Sequence, residues 1–281
     1  MYSFQGTLYS SLAEVSSDYI QPFLDHQPLI ETLRYENGKL LFFEEHYFRF
    51  MAAMRIMRME IPLQFTMEYL QEIIFDLLAA KGEREKICMV KLKVVRSAAP
   101  NRESPIPCTI FSISSTPIKH KFSHREEHLP IDLYKDHFIA AGLYSSLECA
   151  HQTWREMAWV YAHENKLCDG IILNQSKEIV ETLSGSLFLV KGDQVKTPSL
   201  DQGCRKSVYR SQLIEGIQQL PDLDISEKSI SPFALQKADE MFVLHDASEI
   251  VSIPRYRKKT FASQTTKHIV DSLIDKINAL P

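Results

Sequence analysis

No stretch of the chain holds the roughly 18 consecutive apolar residues of a membrane span. The opening MYSFQGTLYSSLAEV also lacks the basic start and apolar run of a signal peptide. No short repeat or low-complexity tract is present, which argues against solenoids and biased linkers. Paired cysteine chemistry is missing too. The five cysteines, at 88, 108, 149, 168 and 204, form an odd, scattered set without metal-ligand spacing. Such a set fits reduced thiols in a cytoplasm, not a disulfide framework or a metal site. There is no basic excess: a net charge of -4 gives no electrostatic case for nucleic acid or an anionic membrane. What the chain does have is core material. Hydrophobic residues make up 44% of 281 residues, enough for one large or two ordinary domains.

Residues 29–35 alternate like a strand, Asn37-Gly38 turns the chain, and residues 39–43 return, the strongest hairpin signal in the sequence. A helix is expected from Glu44-Glu45, whose acids suit a first turn. Its apolar positions include Tyr47, Met51, Met54 and Met57, and Ile61-Pro62 ends it. Residues 65–80 read as a second helix capped by Thr66. Strands are expected at 87–95 and 108–114, around a Pro-rich loop at 98–107. The pattern gives an α+β first domain over 1–118, a polar linker over 119–129, and a second domain over 130–281.

The second domain opens at 132–141. An amphipathic helix follows, with Trp154, Met157, Ala158, Tyr161 and Ala162 on one stripe. Strands at 170–174 and 179–181 lead through a polar loop, 182–186, into a strand at 187–191 and a hairpin closed by 194–197. A helix over 207–219, strands at 240–245 and 249–253, a basic run at 255–259 and a closing amphipathic helix over 264–280 complete the chain.

Several short motifs occur in this order. Glu31-Thr32-Leu33-Arg34 precedes Asn37-Gly38-Lys39, and Glu45-His46-Tyr47-Phe48-Arg49 follows. Val180-Glu181 stands before the polar loop, Leu187-Phe188-Leu189-Val190 after it, and Asp239-Glu240-Met241-Phe242 further on. Together, from about residue 23 to residue 275, they resemble the class IV aminotransferases, the pyridoxal-phosphate (PLP) family that also holds aminodeoxychorismate lyase. The resemblance implies the two-domain α+β fold of the D-amino acid aminotransferase-like PLP proteins. It implies that Arg49 reaches the cofactor phosphate, a task suited to a planar multi-donor cation. It also implies that Glu181 faces the pyridine nitrogen, whose protonation makes the ring an electron sink. Ser184, Gly185 and Ser186 would form the polar loop at the cofactor, and Ser207, Val208 and Tyr209 the phosphate-binding helix start.

The departures from the family pattern carry as much information. A gapless count from Tyr161-Ala162-His163-Glu164-Asn165, and another from Asp169-Gly170-Ile171-Ile172-Leu173, put the family's Schiff-base lysine at position 148, which is Glu148. A carboxylate cannot form an imine, and it brings negative charge towards a phosphate site. The polar loop lacks the usual Ser-Asn ending. Ser207 replaces the glycine that lets backbone amides approach a phosphate. PLP is therefore expected non-covalently or not at all.

Blander readings stand beside these. Arg49 on a helix surface is commonly a solvated charge, and Glu181 could be an exposed strand end. His151 and Arg155 read as packing or solvent residues. Cys149 reads as a small buried side chain, and adjacent His245-Asp246 would point to opposite faces. Four functions stay open: a family member with lost or altered PLP chemistry, an enzyme using PLP non-covalently, a cofactor-free enzyme with Glu148 as acid or base, and a binding or scaffold protein. An amino- or keto-acid type ligand is compatible with each. The resemblance also implies a homodimer, and the methionines at 51, 54, 57 and 59 are consistent with an extra buried face. Sedimentation at micromolar concentration should give a dimer, and monomer alone would reject that expectation.

Overall fold

A computed structural model describes residues 1–96, 109–150, 152–245 and 249–279. It contains six α-helices and seventeen strands among those residues. The chain divides into two compact units, Met1–Lys121 with Glu148–His151, and Phe122–Leu147 with Gln152–Pro281.

The first unit is one six-stranded antiparallel sheet with three helices. In chain order these are β1 (Tyr2–Phe4), β2 (Thr7–Tyr9), α1 (Ser17–Asp25), β3 (Leu29–Glu36), β4 (Lys39–Leu40), α2 (Phe43–Ile56), α3 (Met67–Ala80), β5 (Cys88–Arg96) and β6 (Thr109–Pro117). Their order across the sheet is β2-β1-β6-β5-β3-β4. Asn37 and Gly38 both take positive φ, so the β3–β4 turn is the two-residue, twist-matched kind expected of Asn-Gly. The return arm is shorter than its sequence suggests, because Phe42 adopts a left-handed conformation and α2 begins at Phe43. α3 starts where Thr66 accepts the Tyr69 N–H, and it buries Leu70, Ile74, Leu77 and Leu78 on one stripe.

β1, β2 and α1 have no counterpart in the sequence reading. Pro22 sits inside α1, and the first two strands are three residues each, too short for a periodic signal. α2 also ends at Ile56, well before Pro62. Met51, Met54 and Met59 are buried within this chain itself, so they make no case for a second subunit.

The second unit holds β7 (Ser123–Glu126), β8 (Ile131–Ile139), α4 (Thr153–Glu164), β9 (Asp169–Asn174), β10 (Ile179–Thr182), β11 (Gly185–Lys191), β12 (Gln194–Thr197), α5 (Val208–Gln218), β13 (Asp224–Glu227), β14 (Glu240–His245), β15 (Glu249–Ser252), β16 (Arg255–Tyr256), β17 (Lys259–Thr260) and α6 (Gln264–Asn278). Part of the stretch expected as a linker is thus strand β7, which pairs in parallel with β15. One sheet runs β10-β9-β8-β16-β17 and the other β13-β12-β11-β14-β15-β7. Ile171, Leu173, Leu187, Leu189, Met241 and Val243 fill a shared core with Ile131 and Leu133. α4 adds Ala158 and Ala162 to a second cluster with Tyr134, Ile172 and Leu183. Met157, expected on the same stripe, is instead half exposed.

The expected loop 182–186 shrinks to Leu183-Ser184, since β10 runs to Thr182 and β11 starts at Gly185. A Cβ at Gly185 would stand 1.9 Å from the Leu244 carbonyl oxygen. Only a residue without a side chain lets the chain pass that close to β14.

Glu240, in the Asp-Glu-Met-Phe motif, is a structural cap. Its buried carboxylate accepts the N–H groups of Thr265 and Thr266 and the Thr266 hydroxyl, all at 2.8 Å, at the start of α6. An anion there satisfies orphan amides and complements the helix dipole. Glu240→Ala should cost about 1–2 kcal/mol, read as a lowered urea midpoint with faster amide exchange in the first turn of α6.

Candidate functional site

The residues singled out by sequence fall into separate groups, each inside one unit. In the first unit, Glu31 lies on β3, while His46 and Arg49, three residues apart, share one face of α2. The Arg49 guanidinium donates to the Glu31 carboxylate from Nε at 3.0 and 3.1 Å and from Nη2 at 2.7 Å. His46 Nδ1 bonds the same carboxylate. Burial would raise the Glu31 pKa, but the Arg49 charge and the His46 bond outweigh it and hold it below the ordinary glutamate value.

Glu148 belongs to this unit. The Ile30 N–H donates to the Glu148 carbonyl at 2.9 Å, and the Ala150 N–H donates to the Pro28 carbonyl at 3.0 Å, so residues 148–150 lie against β3. The Glu148 carboxylate stands 3.8 Å from Arg49 Nη2. The structure therefore brings Glu148 and Arg49 together as an ion pair, with Glu31 and His46 behind it.

In the second unit Glu181, on β10, is buried and surrounded by cations. Its Oε1 accepts Arg155 Nη2 at 2.6 Å and Arg205 Nε at 3.1 Å, and its Oε2 accepts the Arg205 backbone N–H at 3.0 Å and Arg205 Nε at 3.2 Å. Burial again acts to raise the pKa, and the Arg205 and Arg155 charges overcome it, so the carboxylate titrates below its usual value. Arg155 also donates to the Leu183 carbonyl at 2.6 Å and lies 4.7 Å from the Trp154 ring centre, while Trp154 stacks on His137. A pocket of about 220 Å³ opens beside this group, with Leu147 and Ile139 among its apolar walls.

Reading Arg155 as a packing or solvent residue is corrected here, and Arg205 escaped the sequence reading altogether. A signal for Arg155 existed. Residues 155, 158 and 162 follow helical spacing, and Ala158 and Ala162 are buried, so the arginine sits on the covered stripe of α4, where a charge needs a partner. Nothing local marks Arg205, whose link to Glu181 is purely tertiary.

Ser184 donates to the buried Asp169 carboxylate and lies 2.9 Å from His245 Nε2. Asp169 Oδ1 accepts the N–H groups of Gly170 and Leu183 at 2.7 and 2.9 Å. Burial raises the Asp169 pKa. His245 thus has its partner across the β10–β11 connection, while residue 246 lies outside the described residues, as does His151. Ser186 is held in register with Leu244 by the β11–β14 ladder. Ser207 caps α5, its Oγ accepting the Arg210 N–H at 3.3 Å. Val208 and Tyr209 are buried, and the Tyr209 ring stacks on Phe122 at 5.7 Å. The Cys149 thiol has its pKa raised by burial and by Glu148, which fits a packing residue and not a thiolate nucleophile.

The sequence profile of the family described as "Amino-transferase class IV" matches residues 28–256. The chain is a class IV aminotransferase family member. A provisionally named branched-chain-amino-acid aminotransferase of Methanocaldococcus jannaschii is 22% identical over 258 residues, 88% of this chain and 85% of that protein. The aminodeoxychorismate lyase of Bacillus subtilis is 28% identical over 97 residues, which span only 33% of its length. A match of 107 residues to a provisionally named branched-chain-amino-acid aminotransferase of Thermotoga maritima, 27% identical, spans 39% of that protein. Among solved structures, the branched-chain aminotransferase of Thermoproteus uzoniensis with norvaline superposes with a TM-score of 0.83 at 20% identity, covering 98% of this chain and 94% of that one. This agreement shows the fold.

Glu181→Gln would leave two guanidinium groups facing a neutral amide, and breaking a buried pair in this way should cost about 3–5 kcal/mol. The pH dependence has a definite sign. Because folding depresses the Glu181 pKa, its stabilisation is complete above the unfolded glutamate value, about 4.3, and fades as pH falls through the lower folded value. Urea midpoints from neutral pH into the acid range should show a smaller acid loss for Glu181→Gln than for the parent.

Proposed function

We propose that this chain keeps the class IV aminotransferase fold without the family's covalent PLP chemistry, and binds a small amino- or keto-acid type anion directly. The observation that carries the reading is the state of Glu181. A carboxylate that is to hold a pyridinium nitrogen needs a vacant lone pair and a surplus of negative charge. Here both oxygens accept from arginine, at 2.6–3.2 Å, and two guanidinium charges stand against one carboxylate. Another cation at that point would be repelled, and an unprotonated ring is a poor electron sink.

PLP is the family's cofactor, and a branched-chain aminotransferase of Thermobaculum terrenum with the same fold is described as a PLP-form, holo-form structure. The residues of this chain do not suit that group. By the gapless count Glu148 occupies the lysine position, and its charge is committed to Arg49. The start of α5 is filled by the Ser207 cap and by Tyr209 packed on Phe122, which leaves little room for a phosphate to approach the amides.

A small carboxylate suits the same pocket better. Arg155 and Arg205 supply the charge, and Trp154, Ile139 and Leu147 supply apolar walls. Glu148 could serve as an acid or base in a cofactor-free reaction only if a substrate came within hydrogen-bond reach of it.

Borohydride reduction in the presence of PLP, followed by peptide mass spectrometry, tests the reading. No lysine should carry a stoichiometric pyridoxyl adduct, and one that did would overturn it. Glu148→Lys alone should restore little cofactor absorbance and no robust turnover with glutamate and a keto acid. Adding Arg155→Asn, which removes one donor from Oε1 and one of the two positive charges facing Glu181, should raise PLP affinity measurably above the single variant. Robust turnover by the single variant would make position 148 the only lesion.

A further inference from the structure

The basic run 255–259 is untouched by this reading, and the fold turns it into a concave surface. β16 turns through Arg257 and Lys258 into β17, with Arg255 pairing Thr260 and Tyr256 pairing Lys259. The hairpin is anchored on several sides. Tyr256 pairs in parallel with Ile131 of β8, its ring is buried in the core of the unit, and the Phe261 N–H returns to the Pro254 carbonyl at 3.0 Å. A pocket of about 440 Å³ lies here, lined by Gln236, Tyr256, Arg257, Lys258 and Lys259.

Among the described residues, this lining holds three cations and no carboxylate. The Arg257 guanidinium lies 5.1 Å from the Tyr256 ring centre and 3.4 Å from Asp132, an exposed and weak pair, and Lys259 Nζ is 6.0 Å from the Phe261 ring centre. The ring contacts of Arg257 and Lys259 and the anchored backbone keep two of the three charged groups near the opening, which lowers the ordering left to an incoming anion.

The geometry points to a binding site for a small oligophosphate anion, carried by a nucleotide or free in solution. Three cations lining one pocket match the charge of two or three linked phosphates, and each phosphate oxygen is a strong acceptor for guanidinium and ammonium donors. Nucleic acid fits less well. The basic residues are confined to one short hairpin of a chain whose net charge is -4, whereas a polynucleotide needs a track of phosphate contacts.

Isothermal titration of the full chain with sodium tripolyphosphate tests this, with orthophosphate, a nucleoside triphosphate and a single-stranded oligonucleotide as parallel arms. Tripolyphosphate should bind one per chain, at least about tenfold more tightly than orthophosphate, and weaken as salt rises from about 50 to about 200 mM. Lys258→Gln, fully on the surface, should weaken it about tenfold with an unchanged unfolding midpoint. Arg257→Gly, which keeps the left-handed turn, should do the same. A nucleoside triphosphate binding tighter than tripolyphosphate would identify the nucleotide as the source, and equal affinity would identify the phosphate chain alone. No binding at millimolar concentration, binding unchanged by both variants, or tighter binding of the oligonucleotide would overturn the proposal. None of these outcomes depends on how Glu181 is occupied.

Discussion

The passage from β10 to β11 constrains the whole second unit. Two residues, Leu183 and Ser184, carry the chain from one sheet to the other, and the absence of a side chain at Gly185 lets β11 start against the Leu244 carbonyl. The tight crossing leaves polar groups that must be satisfied locally. Asp169 accepts the Leu183 N–H and the Ser184 hydroxyl, and Ser184 reaches His245. It also fixes Glu181 one residue from the end of β10, where Arg155 from α4 and Arg205 from the approach to α5 converge. An added methyl at Gly185 would strain both sheets and the charge cluster together.

Fold and site are held by different forces, which explains how one can persist while the other changes. The two-sheet core is apolar and shape-dependent, with Phe188 and Phe242 stacked across β11 and β14 at 4.9 Å and aliphatic side chains around them. Any sequence that keeps this volume and alternation keeps the fold. The charged groups obey a local rule instead: each buried charge requires a counter-charge or hydrogen-bond donors of its own. Glu31 has Arg49 and His46, Glu181 has Arg155 and Arg205, and Glu240 has the amides of α6.

Much of the architecture was legible in the sequence because it rests on local rules. Asn37-Gly38 can make one kind of turn, Thr66 announces a helix start, and the continuous apolar run at 241–244 marks a buried strand. The motif order was enough to identify the family. Illegible were the features set by tertiary contact or by segments too brief for a period. β1 and β2 are three-residue strands, β7 hides in a polar stretch, and Phe42 cuts the return arm of the hairpin short. In the site, Glu181 was visible as a strand-end carboxylate, but its partners were not. Arg155 could have been inferred from the buried stripe of α4. Arg205 could not, because nothing in its own neighbourhood points to a strand 24 residues earlier.

If the site has left PLP chemistry, as proposed above, the same asymmetry governs how it could return. On the reading proposed above, a lysine at position 148 is one substitution away, but the arginines around Glu181 contribute to the stability of the unit. Removing Arg155 or Arg205 strips a buried carboxylate of part of its counter-charge, at a cost of about 3–5 kcal/mol if the pair is broken outright. Domains of ordinary stability have only about 5–15 kcal/mol in total. A reverting chain would therefore lose a large share of its stability before a protonated ring nitrogen offered any compensating charge. On that reading a lysine at position 148 gains little while Glu181 stays engaged, and removing Arg155 first leaves Glu181 buried with Arg205 alone as its counter-charge. On the proposed reading the two changes are useful only together, and the charge cluster is the energetic barrier between them.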